Sequence, residues 1–379
     1  MLEYFARPGG ASFIVGGQWG SEAKGAAAAH LAPKASCHKF TIATTNAGAQ
    51  AGHTSVHDGV KRVVFHLPTY SLYRKCFTYL NAGSIIDPDV LLRELDENPS
   101  VLANGFAIHP NAAIITQDCK DAEGSADSAQ TKIASTRKGV GEALARKVLR
   151  SGAIAQDQAG VGRWAYIARY VKRLDLNEQM RTGQSVLVEV PQGHSLSIDS
   201  QFYPHTTSRN CTVAQAMSDA GIHPRFYHQS MLVIRTYPIR VGSLSEDNHS
   251  GGHFPDQQEI TWDELGVEPE ITTVTKRVRR VFTFSEQQVA LAITQTQPDV
   301  IFLSFCDYLP PLLHPPLLGG AVGDIAGSYK MAQRHYAREV IQRLRELTGK
   351  HGQRGCSRRV EILTSWGPTT DDVMEGDQV

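Results

Sequence analysis

Three stretches of this sequence carry residues whose types and spacing could do chemistry. The first is Ile14-Val15-Gly16-Gly17-Gln18-Trp19-Gly20-Ser21-Glu22-Ala23-Lys24-Gly25, which leaves an apolar run and enters an alanine-rich segment at residues 26–31. A glycine-rich strand-to-helix turn aims backbone N–H groups and the positive end of a helix dipole at one point. Lys24 adds a charge where β- and γ-phosphates would lie. The spacing is not that of the common P-loop, and Gly25 stands where a Ser or Thr would hold Mg²⁺. A tight turn without a ligand would read the same on glycine and lysine alone. The second stretch, Asn46-Ala47-Gly48-Ala49-Gln50-Ala51-Gly52-His53-Thr54, sets an imidazole beside backbone that can come close to a ligand. The third packs Lys276, Arg277, Arg279 and Arg280 together, and guanidinium forks suit carboxylates. Alone, that run reads equally as a solvated basic loop or an RNA patch.

Elements that could position these groups follow from the apolar pattern. Residues 13–15, 61–67, 112–116, 185–190, 232–237, 300–305 and 360–364 read as strands. Trp164, Ile167, Val171 and Leu174 share one helical face, as do Tyr336, Val340, Leu344 and Leu347 in a long charged helix. Ser285 and Gln288 read as a capping box heading a helix over residues 286–296, which Pro298 stops. Alternation at this density predicts an α/β fold: a large, mainly parallel central sheet flanked by helices, with a P-loop-like nucleotide site. The Gly- and Pro-rich stretches 243–255 and 310–327 read as surface loops, so residues 1–379 form a single domain with a short N-terminal extension at 1–11.

Composition narrows the function. Lys+Arg and Asp+Glu both number 38 in 379 residues, so no global basic field exists to hold nucleic acid. No window approaches a membrane span, and the N-terminus lacks a signal peptide's apolar core. The six cysteines form no C-x-x-C pair and read as reduced thiols of a cytoplasmic protein. The pair His53-x3-His57 lies in a loop-to-strand context, and Gly251 and Gly252 interrupt His249-x3-His253. Neither reads as a metal helix.

Together and in this order, the first two stretches resemble the adenylosuccinate synthetase family. The resemblance continues through His66-Leu67-Pro68, Asn81-Ala82-Gly83, Ser135 to Gly141, Glu189 to Gly193, Tyr203 to Ser208, Arg240-Val241-Gly242, Thr275 to Arg280, Ser304 to Asp307 and Thr364 to Pro368. It implies a two-step ligase. A γ-phosphate goes to the 6-oxygen of a 6-oxopurine nucleotide, and the aspartate amine then displaces phosphate at C6. By residue match, the resemblance makes Ser21, Lys24, His53 and Gln192 the catalytic set. His53 stabilises and protonates at the transferring phosphate, and Gln192 contacts the 6-oxygen. The triphosphate falls to Gly20, Ser21, Glu22, Ala23, Lys24, Gly25, Ala26, Gly52, His53, Thr54, Arg279, Phe305, Asp307, Ser365 and Gly367. The purine monophosphate falls to Ser21, Gln50, Ser135, Thr136, Arg150, Gln192, Thr207, Val241 and Arg277. Aspartate falls to Thr273, Val274, Thr275, Lys276, Arg277 and Arg279. Mg²⁺ would meet Ser21 and the Gly52 carbonyl. Arg150 matches an arginine lent across a homodimer interface.

Two departures refine the expectation. The family carries Asp at the position of Ser21, as base at purine N1 and as a metal ligand, and serine does both poorly. A smaller neutral hydroxyl leaves room for the 2-amino group of guanine. The Ser-Glu-Ala-Lys-Gly loop resembles a phage-type branch that takes dGMP in place of IMP, on the way to 2-aminoadenine DNA. Phe305 stands where the family places a lysine that suits guanine, and its ring can stack on any purine, so ATP or dATP is the expected donor. Asp307 pulls mildly towards guanine, and simple core filling is the bland role for Phe305. The rivals are an ordinary IMP ligase using GTP, a nucleotide-binding regulator without catalysis, and a nucleotide kinase. Such a chain would work in the cytoplasm, that of the host if phage-encoded.

Overall fold

The computed structural model describes residues 5–32, 39–158, 164–245, 248–272, 276–308, 325–351 and 360–379. Nine strands build the central sheet: β1 (Ala11–Gly16), β2 (Ile42–Thr45), β3 (Phe77–Leu80), β4 (Phe106–Ile108), β5 (Val186–Glu189), β6 (Tyr227–Arg235), β7 (Val300–Ser304), β8 (Glu361–Ser365) and β9 (Val373–Glu375). Their order is β4-β3-β2-β5-β1-β6-β7-β8-β9, parallel throughout except that β9 pairs antiparallel with β8. Both faces of β1 are buried. Phe13 and Val15 join one apolar cluster with Leu232 and Ile234 of β6, while Ile14 joins the other with Met231 and Val233. A continuous apolar run is what a strand covered on both faces requires. Helix α1 (Lys24–Leu31) covers one face through Ala27 and Ala28. The helices α4 (Glu286–Thr296) and α5 (Ile325–His351) cover the other, α5 through Val340, Leu344 and Leu347.

β1 is the topological switch point. Early strands lie on its β5 side and late strands on its β6 side, so the loops after β1 and its neighbours diverge and leave a crevice at the carboxyl ends. The glycine-rich loop after β1 occupies that crevice.

Several local readings are corrected. The run 61–67 yields only Val60–Val64, half of a hairpin with His53–His57. The Phe65, His66 and Leu67 amides instead donate to the Glu94 carboxylate. The helix through Trp164 stops after one turn at Ile167, and Val171 forms a bridge with Ile108. Ser285 accepts from the Gln288 amide, but the Gln288 side chain donates to Ser195 Oγ, so the cap is one-sided. The strand read at 232–237 starts earlier, at Tyr227, and ends at Arg235, before Thr236 and Tyr237. β1 begins at Ala11, and Phe5 of the N-terminal extension is buried against Phe40. Of the stretch 310–327, residues 310–324 lie outside the described residues. Cys76, Cys119, Cys211 and Cys306 are free and buried.

Candidate active site

The loop after β1 is held from within. Glu22, fully buried, accepts hydrogen bonds from the Gln18 amide at 3.0 Å and the Gly20 amide at 2.7 Å. Its other oxygen pairs with Lys24 Nζ at 2.6 Å. The Glu22 side chain is therefore a brace under the loop rather than part of its open surface, and it sets the position of Lys24. Gly20, Ser21 and Ala23 all take left-handed φ values, 85°, 59° and 70°. That conformation is costly for residues with a Cβ and recurs at sites where geometry is over-determined. Ser21 is raised at the crest, exposed, while Ala23 caps α1. The amides of Lys24, Gly25 and Ala26 open the first turn of α1, where helical geometry leaves N–H groups free for an anion. Gly25 must lack a side chain, because a Cβ there would sit 2.7 Å from the Thr54 carbonyl oxygen. This close approach fixes the loop against the hairpin that carries His53.

His53 is almost buried, and its Nδ1 lies 3.5 Å from Glu189 Oε2. Glu189, the last residue of β5, also accepts from the Thr69 and Tyr70 amides at 2.9 and 2.8 Å, at the head of α2 (Tyr70–Tyr73). A carboxylate fixed this way orients the ring, leaving Nε2 for chemistry. His53 Nε2, Gln50 Oε1 and Trp19 Nε1 are buried without partners in the protein. All three residues line one open cavity of about 760 Å³. Buried polar atoms of that kind mark a place built for a polar ligand.

The cavity brings together Gly20, Ser21, Lys24, Gln50, Gly52, His53, Ser135, Thr136, Gln192, Thr207, Val241 and Arg279. Gln192, at φ 66°, is another strained residue. Part of the cavity wall is apolar, made by Ile133 before α3 (Val140–Val148), Leu144 and Val148 within it and Leu149 after it. Glu123 holds the start of α3 by accepting from the Gly139, Gly141 and Glu142 amides. Arg277 sits at the edge, its guanidinium donating to the carbonyls of Gly242 and Ala134. Arg150 is exposed and outside the cavity, donating to the Val148 carbonyl, although its neighbours Val148 and Leu149 line the wall. Lys276 is exposed with φ 54°. Thr273, Val274 and Thr275 lie outside the described residues.

Phe305, Asp307, Ser365 and Gly367 form a separate group at the ends of β7 and β8. The Cys306 amide donates to the Ser365 carbonyl, and Ser365 Oγ to the Gly367 carbonyl. Burial raises the Asp307 carboxyl above its usual value. Sequence reasoning missed Arg235 at the end of β6. It is fully buried and pairs with Glu270 at 2.5 Å, and its guanidinium stacks 3.7 Å from the Phe305 ring centre. Burial works against the charged form of Glu270, but Arg235 overrides it and holds the carboxyl below its usual value. An arginine closing an apolar strand, Met231-Leu232-Val233-Ile234-Arg235, was the one available signal.

The comparisons with known proteins agree with this geometry. A family model, adenylosuccinate synthetase, matches residues 13–160 and 164–314. The chain belongs to the adenylosuccinate synthetase family. Members of this family are carbon–nitrogen ligases. Among curated relatives, N6-succino-2-amino-2'-deoxyadenylate synthase of Vibrio phage phiVC8 is 37% identical over 308 residues, covering 78% of this chain and 85% of that protein. The synthase of the same name from Cyanophage S-2L is 35% identical over 328 residues, 83% and 85% of the two chains. An adenylosuccinate synthetase of Pyrococcus horikoshii is 32% identical over 275 residues, 72% and 76% of the two chains. Among solved structures, Cyanophage S-2L succinoaminodeoxyadenylate synthetase bound to dGMP and dATP as an energy donor superposes with a TM-score of 0.76 at 28% identity, covering 97% of this chain and 95% of that one. Among the described residues, no helix is long and apolar enough to cross a membrane.

Proposed function

We propose that this enzyme joins L-aspartate to C6 of dGMP at the expense of ATP or dATP, giving 2-amino-2'-deoxy-N6-succinyladenylate, a diphosphate nucleotide and phosphate, a step towards 2-aminoadenine DNA. The observation that carries the reading is Ser21. The family's aspartate is replaced by a hydroxyl raised on a left-handed loop crest, in one cavity with Gln192 and His53. A carboxylate there would meet the 2-amino group of guanine; a hydroxyl leaves room and can bond the N1/N2 edge. The phage relatives named above support the same substrate.

The chemistry is positioning plus charge stabilisation. Lys24 and the first amides of α1 hold the transferring phosphate beside His53. The 6-oxygen attacks the γ-phosphorus as the purine N1 proton passes to water, and the bond to the donor's bridging oxygen breaks. His53, oriented by Glu189, donates through Nε2 to the developing charge. The aspartate amine then attacks C6, its nitrogen loses a proton, and phosphate departs with the former 6-oxygen. Gln192 contacts that oxygen. Gln50, Ser135, Thr136 and Thr207 hold the 5′-phosphate, and Arg279, Arg277 and the loop at 273–276 take the aspartate carboxylates. Ser21 and the Gly52 carbonyl, neutral oxygen donors lining the same cavity, are the groups that would hold Mg²⁺ there. It would supply charge neutralisation at the β- and γ-oxygens. Phe305 offers a ring to the donor purine. The chain works as one domain in a homodimer, in the host cytoplasm, with Arg150 reaching the partner's 5′-phosphate.

The test is phosphate release from purified protein with aspartate, Mg²⁺ and ATP, comparing dGMP, GMP and IMP. Release that needs both dGMP and aspartate is expected. Release with IMP alone would restore the ordinary family reaction, and silence with every nucleotide would indicate a binding protein.

A further inference from the structure

Arg235 contacts three separate segments: the phosphate loop, Glu270 and Phe305. Its Nη1 donates to the Ser21 carbonyl at 3.2 Å, within the phosphate loop. Its backbone amide and carbonyl are both held by the Gln18 side chain, at 2.9 and 3.1 Å, which ties the end of strand β6 to that loop. Its guanidinium is forked onto Glu270, with Nη2 to Oε1 at 2.5 Å and Nη1 to Oε2 at 3.4 Å. The Glu270 carbonyl in turn accepts from the Arg279 amide at 2.9 Å, which seats the basic loop at the cavity wall. A face of the guanidinium covers Phe305, whose backbone sits at a left-handed φ of 58°. For a bulky residue that conformation is strained and persists only where the surroundings over-determine it. Arg235 and the Thr236 hydroxyl, which donates to the Phe305 carbonyl at 2.6 Å, enforce it. Tyr308 closes the ring of contacts by donating to Glu270 Oε1 at 2.9 Å.

We propose that Arg235, paired with Glu270, is a positioning residue that couples the donor-base platform at Phe305 to the aspartate-capturing loop at Arg279. This rests on the assignment of those two regions under the proposed function. One face of the Phe305 ring is already taken by the guanidinium, so a purine stacks on the other face only, and pressure on the ring is felt by Arg235. Through Glu270 the same guanidinium sets where Arg279 stands. Donor binding and aspartate binding therefore help one another, and by linkage the help is mutual. Lysine cannot replace this arginine, because it lacks both the fork and the planar face.

The experiment measures KM for ATP, aspartate and the purine monophosphate in the wild type, Arg235→Lys, Glu270→Gln and the double variant, with thermal midpoints alongside. It uses whichever of dGMP, GMP or IMP the wild type turns over, so an error in the monophosphate leaves the coupling test intact. Both single variants should raise KM for ATP and for aspartate together, each on the order of tenfold, while KM for the monophosphate stays within about twofold. The double variant should be no worse than the more damaged single. A rise in only one of the two KM values would overturn the proposal. So would a uniform loss across all three substrates that tracks the midpoint, unchanged KM values, or full additivity in the double variant. If Arg235→Lys does not fold, Glu270→Gln, which keeps the shape and removes the charge, decides by the same ATP and aspartate criteria. A wild type silent with all three monophosphates would overturn the function and the coupling together.

Discussion

The two sides of strand β1 are built on opposite plans. On the β5 side, Gln50, His53 and Gln192 face an open cavity, and two of them keep buried polar atoms without a partner in the protein. On the β6 side, Arg235, Glu270, Phe305 and Tyr308 contact one another in a packed network, in which Arg235 Nε is a buried atom without a partner in the protein. The first side is laid out in advance of its ligand, so little reorganisation accompanies reaction. The second holds loops in place by mutual contact and responds when one member moves. The proposed chemistry belongs to the first plan and the proposed communication between substrates to the second.

The sharpest way to break this contrast is His53→Ala. Turnover should fall by about 10²–10⁴-fold, the usual worth of a positioned proton donor, with nucleotide binding little changed. Single-turnover kinetics beside equilibrium binding checks this, and equal losses in both would make His53 a binding group. Next is Glu22→Ala, which strands Lys24 as a buried charge. Breaking such a pair costs about 3–5 kcal/mol, read as a lower urea midpoint. An unchanged midpoint would mean that the loop does not need its brace.

A pH experiment probes the framework behind the His53 hairpin. Burial lowers the pKa of His66 to about 4, against an opposing pull from Asp87. Its Nε2 accepts from the Asp87 amide, which requires the neutral ring. The unfolded chain binds this proton near pH 6.5 and the folded chain does not until about pH 4. Stability from this group is thus complete above the unfolded value and lost as pH falls towards 4, by about 2 kcal/mol at pH 5. His66→Gln should flatten the stability profile between those limits, and an unchanged profile would exonerate His66. The smallest effect is Ser21→Asp. Crowding of the 2-amino group should cut dGMP use on the order of tenfold relative to IMP. Full dGMP activity in the variant would sink the steric reading of Ser21.

The elements most easily read were those with strong periodicity or sharp punctuation. α4 begins at Glu286 after Ser285 and ends at Thr296 before Pro298, as its cap and proline dictate. β2, β3 and β4 escaped because strands of three or four residues carry too little pattern, and threonine or tyrosine interrupts the apolar run in β2 and β3. The segment at 164–174 misled because its apolar spacing served one α-helical turn, a 3₁₀ turn at Ala168–Tyr170 and then an extended bridge from Val171 to Ile108.

The sequence by itself determined the phosphate loop, the histidine beside it, the basic run and the α/β class. Those signals are local: glycines at fixed offsets, a lysine at a helix start, apolar runs between polar helices. Tertiary structure alone decided what each charge faces. Glu22, read as one of a string of loop residues, turns inward because the loop folds over it. Glu189 meets His53 across 136 positions only because β5 lies next to β1 and delivers its last residue under the hairpin. Arg235 and Glu270 are 35 residues apart, and only the packing of β6 against the basic loop makes them a pair. Pairing of buried charges depends on distances of a few ångströms in a medium that screens poorly, and no spacing along the chain encodes those distances.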